Sequence, residues 1–190
     1  EAEQLYRRAL QIDPKNHLPY AALALLHLAQ GQRSQAEQVL LDARQALPDK
    51  PEGYRLLGEL YFSTGELDKA LVEFASLYQE HPKDLHVKSN YIQLLILRDR
   101  LEEATRLNDE IFNENPRDAQ ALIQRGQILN RRGRPDDAVQ VLETALKTEP
   151  DNPVGRYQLG VAFSMMGNLA RAESEWREAV RLRPNLFAAQ

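Results

Sequence analysis

Apolar residues recur along this chain at steps of three and four, in blocks of about 13 residues separated by polar turns. Residues 1 to 13 carry Ala2, Leu5, Tyr6, Ala9, Leu10 and Ile12 in that pattern, and Pro14 closes the block, so one amphipathic helix is predicted there. From His17 the pattern predicts a helix to about Gln30, a turn at Gly31, and a second helix from about Ser34 to Leu47, ended by Pro48. The same pair recurs around Gly65, Gly133 and Gly167, where a tight helix-ending turn needs backbone angles that glycine adopts without strain. Pro135 suits the first turn of its helix, where its missing N–H is not needed.

The blocks repeat. Pro14, Pro48, Pro82, Pro116, Pro150 and Pro184 stand 34 residues apart, and an alanine precedes each by 12: Ala2, Ala36, Ala70, Ala104, Ala138 and Ala172. A fixed period of that length marks a repeat architecture. The register gives the second helix of a truncated repeat at 1–16, full repeats at 17–50, 51–84, 85–118, 119–152 and 153–186, and the start of a further one at 187–190. Ala24, Gly58, Gly126 and Gly160 mark the closest approach of each first helix to the alanine series of the second. Tyr20, Leu23 and His27, then Tyr54, Leu57 and Tyr61, fill the space beside them, with Tyr6, Leu40, Phe74, Leu142 and Trp176 from the second helices. Such a hairpin cannot bury its apolar face alone, so neighbours must stack on it. The expected fold is all-α, a solenoid of stacked antiparallel helix pairs.

The third repeat departs from this pattern. Lys88 replaces the first aromatic, Ile92 the small residue, Asp99 the turn glycine, and Asn108 the filler. Taken singly, Ile92 should push the helices apart, and Asn108 removes volume and needs a hydrogen-bond partner. This degenerate repeat is expected to be the least stable part of the middle of the array. Arg125, on a stripe that is otherwise Leu or Tyr, is expected to snorkel to a carboxylate.

The residues Tyr54, Leu57, Gly58, Tyr61, Ala70, Phe74, Pro82 and Leu159, Gly160, Phe163, Ala172, Trp176, Ala179, Pro184 resemble the tetratricopeptide repeat (TPR), over essentially the whole chain. The likeness is to a piece of a longer, bacterial-type member of that family, since the pattern opens and stops inside repeats. The resemblance implies a right-handed superhelix whose first helices line a concave groove that holds peptides or partner proteins.

Helical geometry places the groove face opposite the packing stripe of each first helix. The first repeat offers Leu18, Ala21, Ala22, Leu25 and Leu28 there, and the second Glu52, Arg55, Leu56, Glu59 and Phe62. The third offers His86, Ser89, Asn90, Gln93 and Ile96, the fourth Gln120, Ile123, Gln124, Gln127 and Asn130, and the fifth Val154, Tyr157, Gln158, Val161 and Met165. From these faces the peptide-binding candidates are Arg55, Glu59, Ser89, Asn90, Gln93, Gln120, Gln124, Gln127, Tyr157, Gln158 and Val161. Asn90, Gln124 and Gln158 occupy one register in successive repeats and form a ladder that either pairs with the backbone of an extended strand or is simply solvated. It resembles the asparagine ladder of some long members of the family, with two glutamines for asparagine. The family's carboxylate clamp is not reproduced, because Glu59 stands for its first asparagine and Gln120 and Gln124 for its last two basic residues.

Composition narrows the function further. A net charge of −4 with 24 basic and 28 acidic residues argues against a general nucleic-acid or acidic-membrane role. No apolar run is long enough to insert in a membrane, and the absence of cysteine removes disulfides, thiolate nucleophiles and thiolate-bound metals. His81 and His86 straddle Pro82 without a third ligand, and no phosphate loop, nucleophile elbow or HExxH motif is present, so no metal, cofactor or catalytic residue is expected. The expected function is a non-enzymatic scaffold that binds a peptide segment of a protein partner. The alternative is a spacer or assembly module in a larger complex, with contacts through its ends and convex face. The open apolar flanks at the two ends also lead us to expect end-to-end homo-association.

Overall fold

The computed structural model describes residues 1–184, and every regular element among them is helical. The chain forms two compact units, Glu1–Lys88 and Ser89–Gln190. The first holds α1 (Ala2–Ile12), α2 (His17–Ala29), α3 (Arg33–Ala46), α4 (Pro51–Tyr54), α5 (Leu56–Ser63) and α6 (Leu67–Glu80). Helix α7 (Leu85–Leu97) starts there and runs into the second unit, which continues with α8 (Leu101–Glu114), α9 (Ala119–Arg131), α10 (Pro135–Thr148), α11 (Pro153–Met165) and α12 (Leu169–Leu182). The all-α expectation holds. The further repeat expected at 187–190 lies outside the described residues.

Local chemistry explains where the helices begin and end. Side-chain oxygens of Asn16, Asp118 and Asn152 accept from backbone N–H groups in the first turns of α2, α9 and α11, which would otherwise be unpaired. Asp84 does the same for Val87 at the start of α7. Gly31, Gly65, Gly133 and Gly167 turn the chain between paired helices with φ of 71, 76, 69 and 77°. At the third of the five such turns Asp99 adopts φ 58°, a left-handed angle that aspartate tolerates better than most residues. One element differs from the sequence reading: the first helix of the second repeat is broken at Arg55 into α4 and α5. Gly53 is a weak helix former, and the Arg55 guanidinium donates from Nε to the Pro51 carbonyl at 3.0 Å, competing at the break for a carbonyl of the first turn.

Packing within each hairpin rests on notches. The alanines 36, 70, 104, 138 and 172 are wholly buried. Opposite them, a Cβ placed on Gly58 would lie 2.9 Å from the Phe74 ring, one on Gly126 would lie 2.5 Å from Leu142, and one on Gly160 would lie 2.5 Å from Trp176. The large residue enters because the glycine is bare. Full burial of Phe74 contributes about 2–3 kcal/mol of the stability of its hairpin. Trp176 also donates its indole N–H to the Tyr157 carbonyl at 3.2 Å.

The third repeat obeys the same rule with its members exchanged. Ile92 and Asn108 occupy the two positions that are glycine or alanine and Phe, Leu or Trp elsewhere, and they are 0% and 1% exposed. Ile92 adds the volume that Asn108 gives up, so the two departures are one substitution by size. Asn108 donates from Nδ2 to the Ala121 carbonyl at 2.8 Å, and its Oδ1 is left without a partner. Arg125 behaves as its chemistry requires, lying 4.3 Å over the Phe112 ring with its head on Asp109.

Candidate functional site

Within Ser89–Gln190 the exposed sides of α7, α9 and α11 enclose a depression of about 540 Å³. Gln93, Ile96 and Leu97 come from α7, Gln127, Asn130 and Arg131 from α9, and Val154, Tyr157, Gln158 and Val161 from α11. Each helix contributes residues one turn apart, as the spacing of one helical face requires. The wall is mixed in kind: four side-chain amides, several apolar side chains and a single charge, Arg131. That guanidinium is half-exposed and lies 3.9 Å from the still more exposed Asp99, a separation at which an exposed pair is weak.

Gln93, Gln127, Tyr157, Gln158 and Val161 are thus brought together as candidates on one surface. Others are placed differently. Gln124 is fully buried and donates from Nε2 to the Ser89 carbonyl at 2.8 Å and to the Ser89 hydroxyl at 3.1 Å. Ile123, read as facing outward, is 1% exposed within the core of this unit. The face of α9 is rotated inward at these two positions, because helices pack on both its flanks and nearly every residue of its first half meets a neighbour. The proposed ladder is therefore interrupted at its middle rung, whose amide joins α9 to α7 and does not face outward. Asn90 is half-buried, and Gln120 is exposed at the first turn of α9.

Arg55 and Glu59 lie in Glu1–Lys88. Arg55 Nη1 is 3.6 Å from Asp84 Oδ1, and Glu59 Oε1 is 3.6 Å from His86 Nδ1. Here a second depression, of about 490 Å³, is bounded by Tyr54, Arg55, His81 and Asp84. The His81 ring stacks on Tyr54 at 3.8 Å with planes 4° apart, and the Tyr54 hydroxyl donates to Asp84 Oδ2 at 2.6 Å. Burial, then the hydrogen bond to Asp84, pushes the Tyr54 phenol up. Burial also acts to raise the Asp84 carboxyl, but the bonds donated by Tyr54 and by the Val87 N–H, with the Arg55 charge, outweigh it and hold Asp84 below the usual carboxylate range. The polar groups of this surface are matched to one another.

Leu97 and Arg131 were not on the faces read from the sequence, and Ile96, Asn130 and Val154 were on them without being singled out. A further turn of helix beyond Gln93 and Gln127 leads to all but Val154. Among the described residues no group of three His, Cys, Asp or Glu is placed to hold a metal ion. No described helix is long and apolar enough to cross a membrane.

Hairpins that share a register, notch their first helices with small residues and leave one side of those helices open define a helical-repeat scaffold. The chain belongs to the tetratricopeptide repeat family: the family model matches residues 1–60, 61–126 and 129–189. A thermophilic TPR protein of Thermus thermophilus is 26% identical, with a TM-score of 0.67 over 89% of this chain and 92% of that one. YrrB, a TPR protein with an unusual peptide-binding site, shares the fold at 17% identity, with a TM-score of 0.59 over 95% of this chain and 93% of its own. Anaphase-promoting complex subunit 3 of Dictyostelium discoideum is 37% identical over 101 residues, which are 53% of this chain and only 10% of that protein. The family and fold support a protein–protein interaction scaffold.

Proposed function

We propose that the chain is a non-enzymatic scaffold that holds a peptide segment of a protein partner against the open first-helix surface of Ser89–Gln190. The observation that carries this reading is the depression walled by Gln93, Gln127, Tyr157, Gln158 and Val161, in which apolar surface and side-chain amides alternate. Amides supply donors and acceptors to a peptide backbone whatever its side chains, and the apolar positions supply affinity. The peptide-binding site of YrrB, on the same fold, supports it. Arg55 and Glu59 would form a separate, secondary surface, since their charges are already matched within their own unit.

A second reading, an assembly module in a larger complex, is favoured by the relative that is a subunit of one and by exposed apolar residues away from this wall, such as Leu5, Ile12 and Val72, which are 67%, 78% and 72% exposed. Photocrosslinking separates the two. A benzophenone side chain at position 161 should trap a partner protein in cells, and Val154→Arg should abolish the adduct. Adducts from position 72 with none from 161 would instead establish the assembly reading.

A further inference from the structure

One packing column of the repeat carries a charge in a single place. At steps of 34, Leu10, Tyr78, Phe112, Leu146 and Val180 hold the same position of the second helices, and in α3 that position is Arg44. Its guanidinium donates to two carboxylates of α6, Glu73 at 2.7 Å and Glu80 at 2.5 Å. Glu73 is a departure too, at a position that is Leu or Val in four of the other five repeats. Apolar residues at both positions would hold α3 to α6 about as well, so stability alone does not explain the exchange. One cation also serves two anions. Burial holds the Glu73 carboxyl above the usual carboxylate range against the Arg44 charge, and the neighbouring Glu80 adds to the rise.

Beside this pair the ends of α3 and α6 and the turn between repeats enclose a cleft of about 490 Å³. Leu41, Pro48 and the His81 ring give it apolar walls, and Asp49 and Glu80 bring carboxylates to it. Asp49 inverts the charge of its own column, which is Lys15, Lys83 and Arg117 in three other repeats. It is exposed and has no ion pair among the described residues, while the adjacent Lys50 donates to the Lys15 carbonyl at 3.0 Å. The charged residues of the cleft come from second helices and the turn, not from the open faces of the first helices, and Arg44 is the single full cation among them. We infer that this cleft is a further docking site, and that it takes an arginine side chain of a partner protein. A planar guanidinium matches two carboxylates at once and lies well against a ring, while its methylene stem covers Leu41 and Pro48. Lysine has neither the fork nor the plane. The site does not depend on peptide binding by Ser89–Gln190, since every residue of it lies in Glu1–Lys88.

The test titrates the full 190-residue chain, isotope-labelled for NMR, with an alanine heptapeptide that has arginine at its centre, and follows the backbone amide shifts. Two further peptides carry lysine, or citrulline, the uncharged isostere of arginine, at the same place. Shifts are expected at Gln45, Asp49 and His81. Arginine should bind about fivefold tighter than citrulline, with lysine between them, the scale of one or two partly exposed ion pairs. Asp49→Lys, which restores the residue of the other repeats at an exposed position, should remove the preference for arginine. Val154→Arg, on the wall of the depression in Ser89–Gln190, should leave it unchanged. Equal binding of the arginine and citrulline peptides, or a preference that survives Asp49→Lys, would overturn the assignment. Shifts confined to α7, α9 and α11, binding lost in Val154→Arg, or no shift at millimolar peptide would overturn it as well, and the photocrosslinks from position 161 judge the groove reading separately.

Discussion

The two units differ in how their polar side chains are paired, although His27 Nε2 in the first unit is also without a partner. On Glu1–Lys88, Tyr54, Arg55, His81 and Asp84 satisfy one another, and Arg44 is shared by Glu73 and Glu80 at 2.7 and 2.5 Å. On Ser89–Gln190, Gln124, Gln127 and Asn130 are buried with an amide oxygen each left unmet. Matched groups contribute to stability and leave little for a ligand, whereas buried unmatched ones cost stability. The difference teaches that a surface rich in charge is not by itself the binding surface, because its charges can already be matched to one another.

Four experiments would break or sharpen this contrast. The largest effect is expected at Ile92, the wholly buried large member of the exchanged pair. Ile92→Gly should cost about 3–5 kcal/mol in chemical denaturation, and adding Asn108→Phe should return a substantial part of it. Additive losses in the double variant would show that the two positions do not share volume. Next is Gly160→Ala, where the new Cβ meets Trp176 at 2.5 Å and the Ala172 carbonyl oxygen at 3.1 Å. A loss of about 2–3 kcal/mol is expected, larger than for Gly126→Ala, whose obstacle is only the flexible end of Leu142. The reverse order would mean that the tryptophan moves aside easily.

Smaller effects probe the matched surface of the first unit. Tyr54→Phe removes a donor to a largely buried carboxylate and should cost about 1–2 kcal/mol at neutral pH. Asp84 has a folded pKa below its unfolded one, so the stability it contributes is complete above the ordinary carboxylate range and is lost as pH falls through the lowered value. The gap between wild type and Tyr54→Phe should therefore close on acidification in a series of pH-dependent melts, and a gap that widens would contradict the assignment. The smallest effect is expected to be a gain. His27 is 2% exposed, its Nδ1 is 2.8 Å from Gln32 Oε1, and its Nε2 has no partner. His27→Phe, the residue type of Phe163 at the matching position, should stabilise the first unit by about 1 kcal/mol, and a lowered melting midpoint would show that the Gln32 contact outweighs the orphan nitrogen.

Helical class, the position of the turns and the small–large notches were all legible in the sequence, because each rests on spacing alone: prolines and alanines at a fixed period, glycine where φ must be positive, apolar residues at three and four. The wall of the depression was legible only in part. A helical wheel places Gln93 and Gln158 outward correctly, since those turns have one neighbour-free side, whereas Gln127 is 7% exposed. It fails at Ile123 and Gln124, because α9 is enclosed more tightly than a two-sided wheel assumes, and it stops a turn short of Leu97 and Arg131.

What the sequence determined by itself is the repeat, since periodic residues act through contacts at fixed separations along one helix or one hairpin. What only the tertiary structure decided is which amides turn inward and which face the depression. Gln124 and Gln158 have the same chemistry and the same register, yet the first is buried against Ser89 and the second opens on the depression. That choice depends on how neighbouring hairpins close over each side chain, and no spacing within a single helix carries it.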